Sequence, residues 1–184
     1  MNWNEYLELS EKTLSTQFNC DEKDQRVLHA VIGVLTEIEE LLDNYTTDNF
    51  DVINLGEEVG DVLWYFSILG REYNLAYPQI IVKDKNPEPM KLILKIIKDT
   101  CKLLDVLKKK IYYNKSIDEV QFKNITTLLM LNFSDYINCY DLNTEEIFDI
   151  NIQKLKARYG DKFSSEKAIN RDLETERKIL SKEI

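Results

Sequence analysis

Apolar residues recur every three to four positions over most of this chain, and no stretch sustains the alternation of a strand. From 24 to 45, Val31, Val34, Leu35, Ile38, Leu41, Leu42 and Tyr45 share one side of a helix. From 52 to 74, Val59, Val62, Leu63, Phe66, Leu69 and Tyr73 do the same, and from 89 to 112 so do Leu92, Ile96, Ile97, Leu103, Leu104, Leu107 and Ile111. Capping residues add boundaries. Asn19 to Asp24 is a polar turn able to cap the helix that follows. Ser116-x-x-Glu119 reads as a capping box for a fifth helix reaching 139. Asn143-x-x-Glu146 caps a sixth, which Gly160 ends, and Ser164 caps a last charged helix over 166–182. An opening helix over 2–17 has a modest apolar face of Trp3, Tyr6, Leu7 and Leu14, and Pro78, Pro87 and Pro89 bracket a connector containing VKDKN. The expected fold is an all-α bundle.

The chain has 184 residues, room for a real core in one domain spanning 1–184. Lys and Arg total 24 and Asp and Glu 33, giving net −9. Such a chain exerts no broad pull on nucleic acid or anionic lipid, so neither partner is expected. Cys20, Cys101 and Cys139 include no CxxC and accompany a single His, which argues against zinc or a disulfide framework and fits a reducing cytoplasm. No signal peptide or spanning segment is visible.

Chemistry concentrates in residues 37–65. Glu37-x-x-Glu40 and Glu58-x-x-Asp61 each place two carboxylates on one helix face, a turn apart. Ala30 and Gly33 stand in line with the first pair, Asn54 and Tyr65 with the second. A glycine inside a helix costs about 1 kcal/mol relative to alanine, so the small residues suggest a groove filled by something other than a side chain. If the helices pack antiparallel, the four acids converge and cannot all stay ionised without a cation. Oxygen-only ligands suit Mg²⁺ or Mn²⁺, ions that bridge phosphates. Acid pairs at this spacing also occur on solvated helix faces.

The strings RVLHAVIGVLTEIEELLD and NLGEEVGDVLWYFSILG resemble the MazG-like all-α nucleoside triphosphate pyrophosphohydrolases, whose signature is ExxE, a spacer, then ExxD within an EELGDxLWY-type string. The opening NEYLELSEKT is similar to the family's EYQxLAxRT start, and NIQKLKARYGDKFS to its NIxKLxxRYPxxF ending. Together these cover residues 1–75 and about 143–178. The resemblance implies Mg²⁺-dependent cleavage of a nucleoside triphosphate between the α and β phosphates. Glu37, Glu40, Glu58 and Asp61 would be the catalytic metal ligands, with Mn²⁺ able to substitute. It carries a nucleotide-contacting role onto Asn151, Lys154 and Arg158. Their i, i+3, i+7 spacing puts them on one face, which also fits a solvated basic helix end. Tyr65 can stack on a base or belong to the core. His29, in line with Glu40, can contribute to the substrate site or be a buried structural histidine. Trp3 and Trp64 are read as core or interface. The chain departs from the family at Ile38, where a small residue or glycine is usual, and at Gly160, where proline is usual.

TEIEELLD (36–43) lines up with KDTCKLLD (98–105) at an offset of 62, and EYNLAYPQII (72–81) with CYDLNTEEIF (139–148) at 67. One five-residue insertion reconciles them. In that alignment Asp99, Lys102, Ile125 and Leu128 stand opposite the four acids. The chain then reads as a tandem, with a catalytic half at 1–77 and a degenerate repeat plus end helices at 87–184. Because the family pairs two chains, the repeat can take the partner's place, and a homodimer stays open beside it. No GxxxxGK[ST] is present, and nothing suggests a covalent nucleophile. The competing reading is a non-catalytic module that senses nucleotides or binds a partner.

Overall fold

The computed structural model describes residues 1–46, 50–78, 88–160 and 162–181. The VKDKN connector, Pro87 and the expected end of the last helix at Lys182 lie outside the described residues. Among those described, the chain forms eight helices and no strand, the all-α architecture expected. No helix among them is long and apolar enough to cross a membrane.

Two helical hairpins form the body. The first is α2 (Glu22–Thr46) with α3 (Val52–Tyr73), and the second is α4 (Pro89–Tyr113) with α5 (Glu119–Asn138). Local chemistry fixes their ends. Asp21 and Asp24 exchange side-chain and backbone hydrogen bonds across the first turn of α2, as the polar turn predicts. Asp51 accepts from the amides of Ile53 and Asn54 to start α3. Pro89 opens α4 with its φ already helical. Asn74 and Asn114, both left-handed at φ 51°, close α3 and α4. The cap of α5 is Asp118, whose carboxylate accepts from Gln121, and not Ser116, which lies two residues too early to reach that turn.

The hairpins pack with α2 against α4 and bury the expected stripes. At the centre, the rings of Phe66 and Phe133 meet edge-on at 5.3 Å, both fully buried. These two residues are 67 positions apart, as are Leu63 and Met130, which line one shared pocket. The starts of α2 and α4, and of α3 and α5, are also 67 apart.

Two expected helices differ. The opening helix, α1 (Trp3–Glu11), stops well short of residue 17 and buries nothing, so Trp3, Tyr6, Leu7 and Leu14 are exposed. Beyond it the chain is tied to the end of α4 instead: Ser15 donates to the Tyr112 carbonyl, and Asn19 to that of Ile111. The charged last helix is broken in two. After α6 (Thr144–Tyr159), capped by Asn143 and ended by Gly160 as expected, come α7 (Ser165–Ile169) and α8 (Leu173–Leu180). Asn170 leaves helical geometry, and the Asp172 carboxylate accepts from Thr175 to start α8 afresh. Helix α6 lies on α3, and α8 folds back over both.

Replacing Phe133 by Ala removes the ring on which the two hairpins meet. A loss of about 3–5 kcal/mol is expected. Because Phe66 belongs to the same core, chemical denaturation should still give one transition, with both hairpins unfolding together. A cost under about 1 kcal/mol, or two separate transitions, would refute the shared core.

Candidate functional site

Three carboxylates come together where α2 faces α3. Glu37, Glu40 and Glu58 each offer an oxygen within 4.8 Å of the others. Glu58 is buried and Glu37 half-buried, while Glu40 stands at the rim. Burial raises the pKa of Glu58 most, reinforced by the charges of Glu40, Glu57, Asp61 and Glu37. Glu37 is pushed up to about 7 by burial, then by Asp61 and Glu40. Glu40 rises through burial and Asp61, against the pull of Arg171. Without a cation this cluster keeps protons that ordinary glutamates would lose.

Asp61 stands outside that close trio because the chain supplies its counter-charge. The Lys154 ammonium, fully buried, lies 2.6 Å and 2.7 Å from its two oxygens and 3.2 Å from Glu57, and Asn151 donates to it at 2.7 Å. Sequence fixes this proximity through Gly60. A β-carbon there would lie 2.9 Å from the Asn151 amide nitrogen, so only glycine lets α6 approach α3 this closely. Asn151 and Lys154 therefore face Asp61, not the pocket. Arg158 is held by Glu176 through two hydrogen bonds of 2.8 Å and 2.6 Å, and it lines the pocket wall.

The Gly33 groove is filled by a side chain, contrary to the expectation from its small residues. A β-carbon on Gly33 would lie 2.2 Å from the Tyr65 ring, so Tyr65 lies flat against α2. His29 is exposed rather than buried, with its ring edge-on to Tyr65 at 5.5 Å and to Trp64 at 6.2 Å. Trp64 is half-buried beside them, whereas Trp3 belongs to neither core nor site.

These residues line one pocket of about 430 Å³. His29 precedes Glu37 by eight residues, about 12 Å of helix, so the pocket has an aromatic end and an acidic end. Tyr159, Phe163 and Leu173 add to its walls. Arg171 reaches in from the break between α7 and α8, donating to Glu57 at 3.2 Å and to Glu176 at 2.6 Å. Every candidate named from sequence is thus in the pocket or one contact behind it. Glu57, Tyr159, Phe163 and Arg171 were not among them. The signal for Arg171 was present: Asp172-x-x-Thr175 is a helix start, and it breaks the charged run just where that arginine must turn inward.

Comparison of the chain with protein-family models, with curated proteins and with solved structures finds no match.

Two outcomes follow for the metal-free protein. A carboxylate whose folded pKa is raised costs nothing below its unfolded value, 4.5 for Glu37. It then lowers stability as pH rises toward the folded value, about 7. Glu58→Gln should remove part of that penalty. Its Tm should exceed the parent's by several degrees at neutral pH and converge with it near pH 4.5, at about 2–4 °C per kcal/mol for a chain of this size. Parallel Tm profiles for the two proteins would contradict the crowded-carboxylate account. Lys154→Met should act in the opposite sense. It leaves Asp61 and Glu57 without their counter-charge and should cost about 2–4 kcal/mol at pH 7. The loss should shrink in acid, where the freed carboxylates take up protons. An unchanged denaturation midpoint at pH 7 would show that the pair contributes nothing.

Proposed function

We propose that this chain is a MazG-like nucleoside triphosphate pyrophosphohydrolase, cleaving its substrate to the monophosphate and pyrophosphate with Mg²⁺ or Mn²⁺. The observation that carries the reading is the trio Glu37, Glu40 and Glu58, oxygens within 4.8 Å of one another, at the acidic end of a pocket whose other end is aromatic. The donor set fits a hard divalent ion: all oxygen, crowded, and part-protonated without one. Held by these glutamates, such an ion would neutralise the phosphates and acidify a water.

The rest of the reading concerns the chain's own residues. Tyr65, fixed against Gly33, and the neighbouring His29 and Trp64 offer ring faces and edges to a base. Lys154 and Asn151 hold the Asp61 carboxylate still beside the acidic end, so they act as positioning residues. Arg171 is the cation best placed for the phosphate chain. It lines the pocket, is about one-third exposed, and its two acceptors are carboxylates from which a polyphosphate can draw it. Arg158 is more deeply buried and bound to Glu176, which orients Arg171 in turn.

The arrangement of the hairpins supports a tandem. A uniform spacing of 67 between helix starts needs no five-residue insertion. The buried faces of α2 and α4 match at 66, and a shift to 62 is about one helical turn, which burial alone cannot distinguish. The Asn132 amide donates to Asp99 at 3.3 Å across the second hairpin, and Tyr65 lies across the first beside both Gly33 and Glu37. Taking the Gly33 contact as the counterpart aligns Asp99 with Gly33. The four acids fall opposite Leu103, Val106, Ile125 and Leu128, hydrocarbon throughout, so the second hairpin offers no metal site of this kind.

Purified protein should release pyrophosphate, not orthophosphate, from a nucleoside triphosphate, and only with Mg²⁺ or Mn²⁺. Glu58→Gln should abolish turnover. Arg171→Ala should raise KM about tenfold or more with a smaller effect on kcat, as loss of one charge-assisted contact requires. A panel of canonical and modified triphosphates assayed for both products tests all three. Orthophosphate as first product, or turnover undiminished in EDTA, would end the hydrolase reading. Tight nucleotide binding with no turnover on any substrate would favour the sensing module instead.

A further inference from the structure

The second hairpin has its own opening, lined by α4, the connection at 115–118 and the first turns of α5. The groove there is about 730 Å³, larger than the carboxylate pocket. Lys98, Lys102, Lys109 and Lys115 line it above an apolar floor that includes Val106 and Ile125. Two acids are present, and both are engaged. Asp105 is bound by Lys108 and Lys109, which hold its carboxyl down to about 2. Asp118 caps α5. Lys102 is tied to Asp99, whereas Lys98 and Lys115, both exposed, have no carboxylate partner among the described residues. Cations outnumber acids in this groove, on a chain of net charge −9.

Its position sharpens the point. With α4 set against α2 at an offset of 66 and α5 against α3 at 67, Val106 and Ile125 stand where the first hairpin has Glu40 and Glu58. The first hairpin's pocket is acidic and the second hairpin's groove is basic. An acidic mouth needs a metal ion between itself and a phosphate; a basic mouth does not.

We propose that this groove binds a polyphosphate anion directly, without metal, making it a second ligand site separate from the carboxylate pocket. Lys98 and Lys115 are the two ammonium groups available to phosphate oxygens. Lys102 and Lys109 add field from their existing pairs, and the floor accepts an apolar ring where the anion carries one. A nucleotide and an inorganic polyphosphate share the required chemistry. Neither needs the first pocket to be catalytic.

Isothermal titration calorimetry on the full chain in EDTA isolates this site, since chelation removes the ion through which the carboxylate pocket would hold phosphates. Inorganic tripolyphosphate and ATP should each bind saturably at one site. ATP binding more tightly would assign the groove to nucleotides; equal affinity would assign it to the phosphate chain alone. The double variant Lys98→Gln, Lys115→Gln should weaken both by about a hundredfold, the loss of two charge-assisted contacts. Both substitutions are exposed, and an unchanged far-UV spectrum would verify the fold. Glu58→Gln should leave both isotherms unchanged. No binding in EDTA, binding indifferent to the double variant, or binding altered by Glu58→Gln would each overturn the proposal. Absence of pyrophosphatase activity would leave these isotherms as they are, so the two readings fail separately.

Discussion

A single buried ammonium group sets the geometry on which the rest of this structure depends. Lys154 is wholly removed from solvent, and an unpaired charge there would be prohibitive. It is tolerable only because Asp61 and Glu57 close on it from α3. That requirement brings α6 against α3 at one register, and Gly60 supplies the clearance. Once α6 is there, Arg158 one turn further on meets Glu176, and α8 is drawn back over the pocket. A polar contact between the first hairpin and the end of the chain thus determines what the pocket is made of.

The same contact divides the carboxylates into two kinds. Asp61 and Glu57 have a cation of the chain's own, while Glu37, Glu40 and Glu58 have each other. Five acids so close would repel strongly if all were treated alike. Amides or hydrocarbons in place of the surplus acids would relieve that repulsion. Drawing Glu37 and Glu58 out of solvent at this helix contact, with pKa values raised by burial and neighbouring acids, costs stability at neutral pH.

Much of this was legible in the sequence, because helix periodicity and acid spacing are local. The stripes from Val31 to Tyr45 and from Val59 to Tyr73 fix which faces meet, and i, i+3 spacing brings the acids together once they do. What escaped depends on contacts far apart in the chain. Gly33 looked like the floor of an empty groove, and only the antiparallel register shows that Tyr65 lies on it. For His29 the sequence left a substrate-site role and a buried structural role open, and its exposed ring beside Tyr65 at the pocket wall removes the buried one. Trp3, Tyr6, Leu7 and Leu14 had a helical pattern but no surface to cover. Asn151 and Lys154 face Asp61 on α3, while Arg158, one turn further on, is held by Glu176 of α8 at the pocket wall.

The register of the two hairpins shows the same limit more sharply. Matching the LLD strings gave an offset of 62, and matching EYNLAYPQII with CYDLNTEEIF gave 67. A helix displaced by four or five residues keeps nearly the same face inward, so its apolar pattern remains satisfied. Side chains that cross between helices do not share that tolerance, because each meets a particular partner. Asn132 reaches Asp99, Tyr65 covers Gly33, and Phe66 meets Phe133 on the central contact. Each of these pairs holds its two helices at one register. Asp99, which the 62-residue offset sets opposite Glu37, is the buried partner of Asn132 and Lys102. Its carboxylate serves a structural hydrogen bond that ties α5 to α4, as the Tyr65 ring on Gly33 ties α3 to α2.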